Sequence, residues 1–106
     1  MSELRAAVAH AFSAGGALAQ ADSGYVEREV QLRMADAVAS AMDEHTALVV
    51  EAGTGVGKTF AYLVPTLLSG GRALISTATK NLQDQLFLRD LPRLRDALRL
   101  PVTLAL

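Results

Sequence analysis

Residues 47–59 read Ala47-Leu48-Val49-Val50-Glu51-Ala52-Gly53-Thr54-Gly55-Val56-Gly57-Lys58-Thr59, and the fold class turns on them. Ala47 to Val50 is a short continuous apolar run, the pattern of a strand buried on both faces of a parallel sheet. A glycine-rich loop follows at once, and from Lys58 the spacing becomes helical. The phosphate-loop pattern is G-x-x-x-x-G-K-[ST]; Gly57, Lys58 and Thr59 match it, and Ala52 stands at the first glycine position. These residue types are suited to holding concentrated negative charge. Gly53, Gly55 and Gly57 let the backbone fold tightly, so that its N–H groups, with those of Thr54 and Val56, converge as an anion nest. The helix beginning at Lys58 adds unpaired N–H groups and the positive end of its dipole. The Lys58 ammonium reaches the β- and γ-phosphates, and the Thr59 hydroxyl is a ligand for Mg2+. A nucleotide triphosphate site is therefore expected over residues 52–59. A phosphate loop alone leaves kinases, GTPases, the motor domains of transporters and helicases open, because it defines a superfamily rather than an activity.

Outward from the loop, apolar and helical patterns alternate. Leu4, Val8 and Phe12 are spaced for a helix over 2–12, and the glycines and Asp22 between 13 and 24 read as a connection. A helix is expected over 27–44 with Val30, Met34, Val38 and Met42 on its buried face and Glu27, Arg28, Arg33 and Asp36 mostly off it. After the loop, 58–68 is helical, with Pro65 expected to kink or shorten it. A second buried strand is expected over 72–76, and a helix capped by Thr79 runs to about Leu88. A short helix with Pro92 in its first turn and a third strand over 102–106 complete the pattern. Strands alternating with helices predict right-handed βαβ units and a parallel sheet flanked by helices.

Composition narrows the classes further. The 106 residues are 51% hydrophobic and 20% charged, which supports a packed core and argues against disorder. A net charge of −1 supplies no global basic field, so nucleic-acid contact has to come from local groups. With no cysteine, disulfides, thiolate zinc sites and cysteine-held clusters are excluded within these residues, and two histidines argue against a His-based zinc site. No apolar run has transmembrane length and the first ten residues lack a signal-peptide layout, so a cytoplasmic α/β protein without membrane partners is expected. Arg89, Arg93, Arg95 and Arg99 alternate with Asp90 and Asp96, which reads as a solvated helix face. Glu51 reads as structural, and His10 and His45 as surface or boundary residues.

Three flanking segments carry a resemblance. EAGTGVGKTFAYLVPTLL over 51–68 looks like motif I and its helix, LISTATKNLQDQLFLRDLP over 74–92 is similar to motif Ia, and Arg28-x-x-Gln31-x-x-Met34 matches an R-x-x-Q-x-x-M element. Together they resemble the DinG/YoaA-type bacterial DNA helicases, relatives of the XPD helicases in the second helicase superfamily, where Ala52 at the first loop position is a common variant. The resemblance covers about residues 25–98. It implies a RecA-like P-loop motor domain, with residues 1–24 as an N-terminal helix and connection and 25–106 as the front part of the first motor domain. It also implies ATP with Mg2+ at Lys58 and Thr59, Gln31 with Arg28 at the adenine, and Thr77, Thr79 and Lys80 at the backbone of single-stranded DNA. An amide suits adenine because it donates to a ring nitrogen and accepts from the exocyclic amine. The implied activity is ATP-dependent unwinding of DNA, 5′→3′, in repair or replication.

The inventory for hydrolysis is incomplete in these residues. An acidic motif, a second motor domain and an arginine finger are all needed and would follow Leu106, as would the cysteines of the 4Fe–4S cluster that the resemblance implies. The sequence is accordingly expected to be the front of a longer protein, inactive alone. Two other readings remain open: a small phosphotransferase such as a nucleotide kinase, and a non-catalytic nucleotide-binding module. The first would need lid arginines and has no use for the motif Ia-like stretch.

Overall fold

The computed structural model describes residues 2–51 and 57–106, so the predicted loop residues Ala52, Gly53, Thr54, Gly55 and Val56 lie outside the described part. Six α-helices are present among the described residues: α1 (Glu3–Phe12), α2 (Ala17–Ala21), α3 (Glu29–Glu44), α4 (Lys58–Leu68), α5 (Lys80–Gln85) and α6 (Leu91–Leu98). A π-helical turn, Leu86–Asp90, joins α5 to α6, so helical backbone runs unbroken from Lys80 to Leu98.

Local chemistry explains where these helices begin. Ser2 caps α1 by accepting from the Arg5 N–H at 3.1 Å, and Thr79 caps α5 by accepting from the Leu82 N–H at 3.1 Å. The helix expected after the phosphate loop runs its full length through Pro65 to Leu68, neither shortened nor ended by the proline. Pro65 is fully buried, and the Ser69 N–H returns to its carbonyl at 2.9 Å, so the turn after the ring keeps its ladder. The connection expected over 13–24 contains the short α2, and the Tyr25 hydroxyl folds it back by donating to the Phe12 carbonyl at 2.6 Å.

The core is a helical layer. Val8, Ala11 and Phe12 of α1, Leu18 of α2, Ala35 and Ala39 of α3, Ala61, Leu63, Val64 and Leu67 of α4, and Leu86 and Leu94 are all buried in one cluster. Helix α3 turns a different face inward from the one expected. The buried line is Gln31, Ala35 and Ala39, whereas Val30 is 54% exposed and Met34, Val38 and Met42 flank the contact. Small residues on that line let α1 and α4 approach closely, and close approach of two neighbours outweighs the transfer gain of larger side chains farther out. Asp36 likewise is not simply solvated. Its carboxylate takes two 2.9 Å hydrogen bonds from the Arg5 Nε and Nη2 atoms, and Asp43 accepts from the Ser2 hydroxyl, so two ties hold α1 along α3.

The expected parallel sheet is not found among the described residues: 47–50, 72–76 and 102–106 form no hydrogen-bonded strand. Their burial gives the physical reason. Val49 is 95% and Leu74 97% exposed, and every residue of 47–50 and 72–76 is exposed, so the described residues leave both runs largely uncovered. A strand that is apolar on both faces is stable in a parallel ladder only when both faces are covered, and parallel pairing is the weaker kind.

Two outcomes test this packing. Leu63→Ala, at a fully buried position where α4 meets the core, should cost about 3 kcal/mol in chemical denaturation. The Arg5 guanidinium also holds the Asp36 carboxyl below its ordinary value of 3.8, chiefly through their hydrogen bonds. The stability this supplies is complete above the unfolded value, falls as pH drops below about 4, and is gone beneath the folded value. Replacing Arg5 with methionine should flatten that part of the acid limb of a stability–pH curve.

Candidate nucleotide site

The site is built at the N-terminus of α4. Gly57 precedes it with φ +76° and ψ 40°, a left-handed conformation that glycine adopts without strain. This bend leads into the helix and leaves Lys58 and Thr59 as the first two helical residues, Lys58 exposed and Thr59 half-buried. The Gly57 carbonyl accepts from the Ala61 N–H at 3.2 Å, closing the first turn of α4.

Gln31 reaches the same carbonyl from α3. Its Nε2 donates to the Gly57 oxygen at 3.1 Å, and the residue is 7% exposed. A Cβ placed on Gly57 would lie 2.2 Å from Gln31 Nε2, so the two residues fill one space. Gln31, predicted from sequence as an adenine contact, is thus brought to the phosphate loop itself. One of its N–H groups is engaged there, while the other N–H and Oε1 keep the donor–acceptor pair that adenine requires. Arg28 stands at the N-cap position of α3, one turn before Gln31, and is exposed.

The second group of predicted residues lies before and at the start of α5. The Thr77 hydroxyl donates to the Thr79 carbonyl at 3.1 Å, and the Thr79 hydroxyl accepts from the Leu82 N–H. Thr77 therefore spends its proton within the turn, while Thr79 keeps its own. Lys80, at the first helical position, is exposed. These are groups suited to a phosphate backbone, one hydroxyl donor beside one exposed cation.

One polar residue that the sequence pattern assigns to a solvated face is buried: Asp90, 4% exposed. Leu86, Asp90 and Leu94 fall at four-residue steps, which drift by about 40° each on an ordinary α-helix. The wider π-helical turn reduces that drift and keeps all three facing inward. The Leu86-x-x-x-Asp90-x-x-x-Leu94 spacing is a signal in the sequence, hidden by the surrounding arginines. Near it, burial pushes the Tyr62 phenol above its usual pKa and the Asp90 charge adds to this, while a hydrogen bond with the Thr59 side chain opposes both.

Residues 28–104 match the family model for DEAD/DEAH box helicases, and the chain belongs to that family. Membership places it in the RecA-like P-loop class. Among curated proteins, it is 52% identical over 99 residues to the ATP-dependent DNA helicase YoaA of Haemophilus influenzae, covering 93% of this chain and 16% of that one. It is 50% identical to the YoaA helicase of Escherichia coli over 90% of this chain and 15% of that protein. The ATP-dependent helicase DinG of Mycobacterium tuberculosis is 48% identical over 77% of this chain and 13% of its own length. The chain thus spans less than a fifth of these relatives. No solved structure matches.

The described residues fit a magnesium nucleotide: a left-handed glycine that a Cβ would obstruct, then a cation and a hydroxyl at a helix start. They do not fit an iron–sulfur cluster, since the chain has no cysteine and no group of three metal-ligating side chains occurs among the described residues.

Gly57→Ala should therefore lower affinity for a fluorescent ATP analogue by more than tenfold, measured by equilibrium titration. Adding Gln31→Ala should restore little, because removing the crowding leaves the left-handed backbone.

Proposed function

We propose that the chain forms the front of the first motor domain of an ATP-dependent DNA helicase, with 25–106 carrying its nucleotide and DNA contacts and the helices of 1–24 packed onto it. The observation that carries the reading is the Gln31–Gly57 hydrogen bond, which ties a base-reading amide to the last residue of the phosphate loop. Supporting it are the family membership and the relatives named as ATP-dependent DNA helicases.

In this reading the loop backbone 52–57 and Lys58 hold the triphosphate, and Thr59 binds Mg2+, which neutralises phosphate charge during hydrolysis. Gln31, with Arg28 beside it, accepts from the adenine amine through Oε1 and donates its free N–H to the ring. Thr79 and Lys80, with Thr77 bracing the turn, contact the phosphates of single-stranded DNA, so binding is tolerant of sequence and sensitive to salt. The apolar runs 47–50, 72–76 and 102–106 supply strands of a parallel sheet whose carboxyl ends meet both ligands. Movement is 5′→3′ by resemblance, in a cytoplasmic enzyme of DNA repair. Alternating closure of two motor domains on the strand converts hydrolysis into steps.

The test is ATP hydrolysis by the complete product of the coding frame, with and without single-stranded DNA. Stimulation by DNA, abolished by Lys58→Ala, is expected. Unstimulated phosphate transfer to a small acceptor would support a phosphotransferase instead, and nucleotide binding without turnover a non-catalytic module. Lys80→Ala should weaken DNA binding on all sequences alike and lower the salt slope by about one.

A further inference from the structure

Helix α3 carries Gln31 in its first turn, and that turn is not closed by its own side chains. Arg28, at the N-cap position, makes no side-chain cap. Gln31 stands at the third helical position, from which a glutamine oxygen can reach back to close a helix start. Here the amide is turned to the Gly57 carbonyl instead, and its oxygen is the atom assigned above to adenine. Farther along, α3 is firmly held, with Ala35 and Ala39 fully buried and the Arg5 fork on Asp36. The end that meets the base therefore depends on a tie from outside the helix.

Tyr25 supplies that tie. From Gln20 to Val30 every residue except Tyr25 is exposed, so this side chain anchors the chain where it enters α3. Its hydroxyl donates to the Phe12 carbonyl at 2.6 Å. Phe12 is the last residue of α1 and 2% exposed, so the acceptor is one of the carbonyls a helix leaves without an internal partner, set in the core. Helix α1 in turn lies against both α3 and α4, and the corner after it is tight, since a Cβ on the buried Gly16 would collide with the His10 carbonyl. Asp22 shapes the approach to the anchor: its carboxylate accepts from the Gly24 N–H at 2.9 Å and its carbonyl from the Tyr25 N–H at 3.1 Å. Burial, aided by the Glu27 charge, lifts the Tyr25 phenol above its ordinary pKa, which keeps it a donor.

We propose that Tyr25 is a positioning residue for base recognition: by tying the entry of α3 to the end of α1, it holds Gln31 where its amide meets both the Gly57 carbonyl and adenine. The proposal rests on the reading of Gln31 as the adenine contact. It gives the helices of 1–24 a share in nucleotide selection through a hydrogen bond that touches no ligand.

The experiment measures equilibrium affinities for ATP, inosine triphosphate and inorganic tripolyphosphate by competition against a fluorescent ATP analogue, using the complete product of the coding frame. Inosine triphosphate has a carbonyl in place of the exocyclic amine and cannot donate to the Gln31 oxygen, so the wild type should prefer ATP. Tyr25→Phe removes only the hydroxyl. It should cut the preference for ATP over inosine triphosphate by about three- to tenfold, the worth of one hydrogen bond, and leave tripolyphosphate affinity within about twofold. Combined with Gln31→Ala, it should lower the preference no further than Gln31→Ala does alone, because both act on one contact. A Tyr25 that serves packing alone would lower the melting temperature and keep the preference, and that result overturns the proposal. So does an equal loss of affinity for all three ligands, or a double variant whose losses multiply. Asp22→Ala, at an exposed residue, should lower the preference in the same direction, and it decides alone should Tyr25→Phe fail to fold. A wild type without preference for ATP, or a Gln31→Ala variant that keeps it, would instead refute the reading of Gln31 as the adenine contact.

Discussion

The close approach of α3 to α4 is the constraint on which the other contacts rest. It is made by side chains that are nearly absent: Ala35 and Ala39 on one helix and Ala61 on the other, all fully buried. Only at this separation does a glutamine on α3 reach the carbonyl that ends the phosphate loop. That carbonyl is shared, taking the Gln31 amide from one side and the first backbone bond of α4 from the other. The loop's last residue is thereby fixed in direction by two helices rather than by its own stiffness, which glycine lacks. Preorganisation of this kind lowers the entropy lost when an anion is gripped.

The two N-terminal helices extend the same logic outward. They precede the family match, which begins at residue 28, yet Val8, Ala11, Phe12 and Leu18 lie in the common core. The Arg5–Asp36 fork sets the register of α1 along α3 with planar, two-point geometry. Being about a third exposed on both sides, it adds direction more than strength. The helix that presents Gln31 is thus braced along α1.

Legibility in the sequence follows the range of each interaction. The capped start of α5 at Thr79, the start of α4 after Gly57 and the ends of α1 are readable because caps and glycine bends act within a few residues. The apolar character of 47–50 and 72–76 is readable too, but strand pairing depends on what covers and flanks each run, and no local pattern contains that. The buried face of α3 differs by one position from the expected one because large apolar residues dominate a helical pattern, while the contact itself is made by alanines. Asp90 escapes a pattern built on the ordinary helical period, because the π-helical turn changes that period over the residues concerned. Of the site, Lys58, Thr59 and Gln31 can be picked out from motif spacing; the contact between Gln31 and Gly57 cannot, since it joins residues 26 apart.

The uncovered runs bear on how such a chain survives its own synthesis. The helical layer closes its core without any strand pairing, so it can form while 47–50 and 72–76 still expose Val49, Leu74 and Ile75. Short apolar β-formers in that condition are templates for stacking one copy on another. Each run is bounded by a charge: Glu51 directly follows the first, and Arg72 directly precedes Ala73-Leu74-Ile75 in the second. In an in-register stack of identical chains these would line up carboxylate on carboxylate and guanidinium on guanidinium. They act as gatekeepers, set against self-assembly at the positions where the nascent protein is most adhesive.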